Sequence, residues 1–224
     1  MENTQRYKKR KKREKRRKRI LNFILLLFIV ALIYLFTFKT DFFNIKKIEI
    51  IGNKKLNDEQ ILKTSICSKG ENIFKINKKY CEESIKKLAY VKDVKITRKL
   101  PNTIKINIVE RNEVAVIPYI GAFVFIDEEG YVLKIEEKKG SLELPQVFGL
   151  EIVDLQIGDC LFKGVKGSGN LDFLTLGKEL KILKQMKYIN FSKEDNTMLE
   201  LNNGIKVAFG PLNNVKYKLN YIDK

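Results

Sequence analysis

The hydrophobic positions fall into three regimes along the chain. The first is continuous. Residues 20–38 (ILNFILLLFIVALIYLFTF) carry no charge, and only Asn22 and Thr37 are clearly polar. As a helix this segment measures about 28 Å at 1.5 Å per residue, close to the roughly 30 Å hydrocarbon core of a bilayer. It is apolar on every face, unlike a helix packed against a soluble core, and predicts a membrane span. Cleaved signal peptides have shorter apolar cores and a small-residue cleavage site. Here residues 37–43 read TFKTDFF, with bulky side chains in that place, so the segment reads as an anchor.

The second regime alternates. Ile48 and Ile50 alternate with Lys47 and Glu49, a strand ending at Gly52 and Asn53. Asn57 ahead of Asp58, Glu59 and Gln60 predicts an N-cap with Gln at the third helical position. Ile61, Leu62 and Ile66 supply the apolar side of that helix, which is expected to end near Gly70 in a left-handed cap. A second helix is expected from Asn77, with Cys81, Ile85 and Leu88 as its stripe. Val94 and Ile96 mark a strand, Leu100, Pro101 and Asn102 a tight turn, and Ile104, Ile106 and Ile108 one face of a third strand. Strand, helix, helix, strand, strand is the order that buries all three stripes in one layer of helices on a sheet.

The third regime is rich in strands. Residues 114–119 and 122–126 are apolar runs joined to 131–133 through Asp127, Glu128, Glu129 and Gly130, read as a solvated hairpin turn. Residues 164–170 (GVKGSGN) read as a loop, 171–186 as a helix through Leu174, Leu180 and Leu183. Residues 198–201, the turn at Asn202, Asn203 and Gly204, and 205–209 predict a hairpin, and Val215 opens another amphipathic segment. The fold class is therefore α+β: an anchor helix, a strand-helix-helix-strand-strand unit, then a strand-rich β domain with flanking helices.

Charge adds topology. Of the 44 basic residues in this 224-residue chain, with net charge +17, twelve lie in residues 1–19 beside only Glu2 and Glu14. That block cannot bury itself and is expected to stay solvated and disordered. Lys39 follows the span, balanced by Asp41, so the positive-inside rule keeps the tail in the cytoplasm and sends residues 39–224 outside. Basic runs also bind nucleic-acid phosphates, but this one has no interleaved aromatic beyond Tyr7 and no recognition module. Attraction to anionic headgroups explains it, at about 1 kcal/mol per basic residue near the surface; no specific nucleic acid is expected as a partner.

Three segments carry a family resemblance: IEIIGN over 48–53, NIF over 72–74, and YVKDVKITRKLPNTIKINIVER over 90–111. Together they resemble a POTRA domain, and more narrowly the membrane-anchored POTRA of the FtsQ/DivIB cell-division family. Gly52, Asn53, Val91, Arg98, Pro101, Asn102, Glu110 and Arg111 stand at the positions of the motif. Asn112 and Glu113 replace the Pro that many members carry there, and the Leu-Pro segment from Leu144 to Gly149 fits the family pattern. The resemblance implies a layout of cytoplasmic basic tail (1–19), transmembrane helix (20–38), short external linker (39–42), POTRA domain (43–111) and β domain (112–224). It also implies one more helix and strand than the chain contains before Lys224.

What the resemblance implies for function is a non-enzymatic scaffold at the cell membrane, enriched at the division septum. Its partners would be FtsL-like and FtsB/DivIC-like single-span division proteins, with a link to the septal peptidoglycan synthase complex. Strand addition to an open edge is the expected mode, and the expected surface is Leu199, Leu201, Gly204, Ile205, Lys206, Val207, Phe209 and Gly210. The alternative is an anchored POTRA acting in polypeptide transport or as a chaperone. That reading predicts tandem POTRA units or a barrel, and the sequence has one unit.

Catalytic chemistry finds little support. The chain has no His, which withholds His-based triads and His-ligated metals. Residues 84–87 match S-x-x-K without an accompanying S-D-N or K-T-G, and read as the edge of a solvated helix face. The glycines at 164, 167 and 169 fit no phosphate-loop spacing, and the carboxylates at 127–129 lack the length of a calcium loop. Cys67, Cys81 and Cys160 are too scattered for a metal. An external location permits a Cys67–Cys81 disulfide, while Cys81 on the apolar stripe also suits a small hydrophobe. No catalytic residue, metal or cofactor is expected.

Overall fold

The computed structural model describes residues 2–150, 155–162, 169–193 and 195–222. Helix α1 (Glu2–Lys39) opens the chain. Within it, Lys15–Lys39 is long and apolar enough to cross a membrane. The basic tail differs from expectation, since the helix continues through it to Glu2. Lys and Arg are good helix formers, and a turn already nucleated by the apolar stretch extends at little cost.

Next come β1 (Lys47–Ile51), α2 (Asp58–Ser65), α3 (Lys78–Ile85), β2 (Val91–Lys99) and β3 (Thr103–Glu110), in the order the pattern predicts. The strands form a sheet ordered β1-β3-β2. Asn57 caps α2 as expected: its side chain accepts from the Gln60 N–H at 2.7 Å, and the Gln60 side chain accepts from the Asn57 N–H at 3.3 Å. The helix stops earlier than expected, because Ile66 forms its left-handed cap at φ 59°, while Gly70, also at positive φ (+89°), lies in the turn beyond. Ile104, Ile106 and Ile108 are all buried, as their alternation requires.

The remaining elements are β4 (Ala115–Tyr119), β5 (Ala122–Ile126), β6 (Val132–Glu136), β7 (Gln146–Phe148), α4 (Gly169–Glu179), β8 (Met186–Asn190), β9 (Thr197–Leu201), β10 (Lys206–Gly210) and α5 (Val215–Ile222). They build a seven-stranded sheet ordered β10-β9-β8-β7-β4-β5-β6. The β4–β7 and β7–β8 pairs are parallel, and the other pairs of this sheet antiparallel. Its core centres on Phe173 of α4, whose ring meets Phe191 and Phe209 edge-on at 5.5 and 5.2 Å.

The helix expected over 171–186 ends at Glu179. Lys181 turns left-handed, Ile182–Gln185 form one 3-10 turn, and Met186 starts β8. Gly177 permits this reversal, because a Cβ there would collide with the folded-back Leu183 side chain. Of the 164–170 loop, 164–168 lie outside the described residues, and Gly169 and Asn170 open α4.

The chain divides into two compact units. One holds Met1–Glu49, Cys67–Lys78 and Ile96–Ile106; the other holds Ile50–Ile66, Lys79–Lys95 and Asn107–Lys224. In the second unit Gly52, at φ +97°, lies against the backbone of β3, where a Cβ would run into the Ile108 carbonyl oxygen. Gly52→Ala should therefore cost about 2–4 kcal/mol. Gly121→Ala, at φ +73° with open space around it, should cost only about 1 kcal/mol. Urea unfolding of the two variants, followed by circular dichroism, measures the difference; equal costs would mean that β3 yields.

Candidate interaction edge and its supporting joints

The hairpin β9–β10 forms the border of the seven-stranded sheet, and among the described residues β10 pairs only with β9. Its turn is well held. The Gly204 N–H donates to the Leu201 carbonyl at 2.9 Å, and the Leu201 N–H to the Ile205 carbonyl at 2.9 Å. Gly204 sits at φ +84°, and Asn202 ties the turn inward through its N–H to Gln185 O and its side chain to Lys184 O. With Lys206 opposite Glu200 and Val207 opposite Leu199, antiparallel alternation turns the backbone groups of Val207 toward β9. Those of Lys206 and Ala208 face outward.

The residues expected to receive a partner separate accordingly. Leu199, Leu201 and Phe209 are buried in the core beneath the hairpin. Gly204, Lys206 and Ile205 (55 % exposed) are at the surface, with Val207 and Gly210 half-buried. A bulge between Ala208 and Gly210 closes the edge at one end. A short, bulged edge carrying a lysine resists indiscriminate pairing with other sheets.

A second arrangement was not foreseen as a site. Asp127, Glu128 and Glu129, expected to be a solvated turn, are instead gathered by cations from other elements. Asp127 is 0 % exposed and Glu128 is also buried. Arg111, immediately after β3, donates from Nη1 to Asp127 and to Glu129 Oε2 (2.6 Å), and its guanidinium lies 3.6 Å over the Tyr131 ring. Asp127 Oδ1 also accepts from the N–H groups of Glu129 (3.0 Å) and Tyr131 (2.8 Å). Glu128 meets Lys92 of β2 and Lys178 of α4, both at 2.7 Å.

The pattern missed this because Arg111, Lys92 and Lys178 lie far from the turn in sequence, while the turn taken alone is polar. Burial of carboxylates is tolerated only when each is paired. Complete burial pushes the Asp127 carboxyl up from its ordinary value, against the Arg111 hydrogen bond. Burial also raises Glu128, but the hydrogen bonds from Lys178 and Lys92 outweigh it and lower that carboxyl to about 2.

The neighbouring motif residues have related work. Glu110 accepts from the consecutive N–H groups of Lys54, Lys55 and Leu56 at 2.9–3.1 Å, a backbone nest for an anion. Asn53 donates to Leu56 O and Asp58 Oδ1, and Val91 is buried. Glu113, beyond the motif, accepts from Tyr90 Oη at 2.8 Å and pairs with Lys55.

A third joint lies in the other unit. The buried Asn72 side chain donates to the Thr37 carbonyl of α1 at 2.7 Å. Arg98 holds the same loop by donating to Ile73 O and Ile76 O, each at 2.8 Å. The carbonyl of Asn102, in the turn with Pro101, accepts from the Lys46 N–H at 2.9 Å. Phe36, Phe38, Phe42, Phe43 and Phe74 pack ring to ring around these contacts.

The S-x-x-K reading fails on geometry. Helix α3 ends at Ile85, so Lys87 lies in a turn, and Ser84 is buried rather than on a solvated face. The described cysteines are thiols, with Cys67 and Cys81 buried. Among the described residues no group of three or more His, Cys, Asp or Glu is placed to hold a metal.

An anchor-like helix followed by this strand-helix-helix-strand-strand unit defines a POTRA-bearing protein, and residues 43–111 match the POTRA domain of FtsQ type. The cell division protein DivIB of Clostridium tetani is 31 % identical over 196 residues, covering 86 % of this chain and 73 % of that one. The cell division protein FtsQ of Geotalea daltonii is 31 % identical over 116 residues, 52 % of this chain and 42 % of that one. A solved structure, the major extracytoplasmic domain of the trans isomer of DivIB from Geobacillus stearothermophilus, is matched at 18 % identity and a TM-score of 0.34. That match covers 50 % of this chain and 87 % of that one. The chain belongs to the DivIB/FtsQ family of cell division proteins. Its helix α1 is consistent with a single membrane anchor.

The Glu128 pairing should be visible in acid. Its folded value lies below the ordinary 4.5, so its stabilisation is complete above about pH 4.5 and is lost as pH falls toward 2. Allowing for the partial exposure of both lysines, that amounts to about 2 kcal/mol. Urea unfolding of the wild type and Glu128→Gln at pH 7 and pH 3 should show the gap between them narrowing as pH falls. A gap that stays constant would place the pairing elsewhere.

Proposed function

We propose that this chain is a non-enzymatic scaffold of the division machinery, held at the cytoplasmic membrane by α1 with its basic N-terminus inside and residues 39–224 outside. In this reading residues 1–19 are the cytoplasmic tail, 20–38 the span, 39–42 a linker, 43–111 the POTRA domain and 112–224 the β domain. The scaffold gathers at the septum and adds a strand from FtsL-like or FtsB/DivIC-like single-span proteins to its free edge. Through them it stabilises the link to septal cell-wall synthesis. The alternative transport or chaperone reading has no observation of its own behind it.

The observation that carries this reading is the open edge of β10, joined to membership of a cell-division family. Lys206 and Ala208 leave backbone donors and acceptors unused by β9, in the geometry that strand addition requires. Ile205 and the half-buried Val207 supply apolar contact beside them.

Lys206→Pro tests it. The substitution removes an outward N–H and leaves the β9–β10 ladder intact, and an edge strand with its N–H facing outward tolerates proline. Recovery of the single-span division proteins with the full-length chain from solubilised membranes should fall about tenfold, the equivalent of about 1.4 kcal/mol. Its unfolding midpoint should stay near that of the wild type. Undiminished recovery would overturn the strand-addition mode. Val207→Pro, which removes an inward donor, should instead destabilise the hairpin itself.

A further inference from the structure

The exit of α1 carries more aromatic surface than a linker needs. Phe36 contacts Phe42 and Phe43 at 5.4 and 5.9 Å between ring centroids, Phe42 and Phe43 meet at 4.9 Å, and Phe74 lies 5.2 Å from Phe43 and 6.5 Å from Phe38. Phe74 comes from a loop more than thirty residues away in sequence. Yet these rings do not close over one another into a core: Phe42 stays 50 % exposed and Phe74 37 %. Phe rings exposed at the end of a bilayer-length apolar helix suit the boundary between headgroups and acyl chains, where interfacial segments bury Phe and Leu side chains.

The backbone of the loop suits that environment. A segment entering a poorly hydrated layer must satisfy its own polar groups. The Gly70 N–H donates to Ile45 O and the Ile73 N–H to Phe43 O, both at 2.9 Å. The Phe74 N–H donates to Asn72 Oδ1 and the Lys75 N–H to Asn72 O, both at 3.0 Å. Arg98 takes the carbonyls of Ile73 and Ile76, and Asn72 takes that of Thr37. These polar groups find partners within the unit, while Phe42 and Phe74 keep exposed faces.

Charge around the rings points to the kind of lipid. Outside α1 this unit carries eight basic side chains against three acidic ones. One of the three, Glu49, is already engaged by Lys47 and Lys99. Lys39, Lys46, Lys69 and Lys75 are exposed beside the aromatic cluster in sequence. Such a combination fits an anionic headgroup layer, with long lysine stems lying along the apolar surface and their ammonium groups reaching phosphate.

We propose that the loop of residues 70–76, together with Phe42 and Phe43, is a lipid-docking surface. It seats this unit in the headgroup layer at the Lys39 end of α1 and binds anionic phospholipid through Lys39, Lys46, Lys69 and Lys75. The inference rests on α1 being a membrane anchor. Docking fixes the height of the unit above the bilayer.

The chain contains no Trp, so one substitution at a time provides an uncontaminated fluorophore. The full chain would be placed in nanodiscs of phosphatidylcholine alone, or of phosphatidylcholine mixed equally with phosphatidylglycerol. In each case the lipids are brominated near the head of the acyl chains to quench nearby Trp. Leu35→Trp reports the anchor and Phe74→Trp the docking surface. Leu35→Trp should be quenched in both lipids. Phe74→Trp should also be quenched, about twofold more strongly with phosphatidylglycerol, and that increment should vanish when Lys69→Glu and Lys75→Glu are added. Quenching of Leu35→Trp without Phe74→Trp would overturn the docking surface and leave the anchor standing. Quenching of neither would overturn the anchor reading as well. Equal quenching of Phe74→Trp in both lipids would overturn the recognition of anionic heads. Should Phe74→Trp fail to fold, Phe42→Trp reads the same surface.

Discussion

The junction of β2, β3, the β5–β6 turn and α4 depends on the burial of one guanidinium. Arg111 leaves β3, accepts the constraint of donating its own N–H to Tyr90 O at 2.8 Å, and then sends its side chain onto Asp127 and Glu129 across the face of Tyr131. A planar, permanently charged guanidinium can stack on an aromatic ring while it satisfies two carboxylates at once. Once Asp127 is fixed, its second oxygen shapes the turn between β5 and β6 through two N–H groups. That turn in turn presents Glu128 to Lys92 and Lys178. A single paired charge thus ties together β2, β3, the β5–β6 turn and α4. Removing Arg111 would leave the buried Asp127 carboxylate without its cation, which costs several kcal/mol.

How much of this could be read from the chain depends on distance along it. The Asn57 and Gln60 capping box, the alternation of Ile104, Ile106 and Ile108, and the hairpin turn at Asn202, Asn203 and Gly204 are local, and each was legible. Helix α4 was misread because no Gly or Pro interrupts residues 180–186; Leu180 and Leu183 prolong the helical spacing although Lys181 reverses the chain. The end of α2 was misplaced because a β-branched Ile66, not a glycine, adopts the left-handed cap. The acidic turn was misjudged for another reason. Its neutralising partners are supplied by tertiary structure, and nothing inside the tetrapeptide announces them.

The family motif acquires a physical meaning residue by residue. Gly52 is small because β3 passes against it, and Glu110 is acidic because three consecutive N–H groups point at it. Arg98 is basic because its guanidinium donates to two loop carbonyls, and it serves the loop whose Asn72 grips the last turn of α1. The anchor and its adjoining loop are therefore held by directional bonds in addition to chain connectivity. Orientation set by the helix passes directly into the folded residues beyond it.

The border strand has a limit built into its length. With Val207 committed to β9 and a bulge interrupting the ladder between Ala208 and Gly210, Lys206 and Ala208 are the residues of β10 whose backbone groups alternation turns outward. So small an edge yields a handful of hydrogen bonds, each worth about 1 kcal/mol net, and a freely diffusing peptide would leave it quickly. A ligand confined to the same two-dimensional sheet loses far less freedom on capture, since its local concentration is set by tether length rather than by dilution into volume. In the strand-addition mode proposed above, the brevity of β10 would act as a filter, favouring neighbours already resident in the membrane over any strand that merely drifts past.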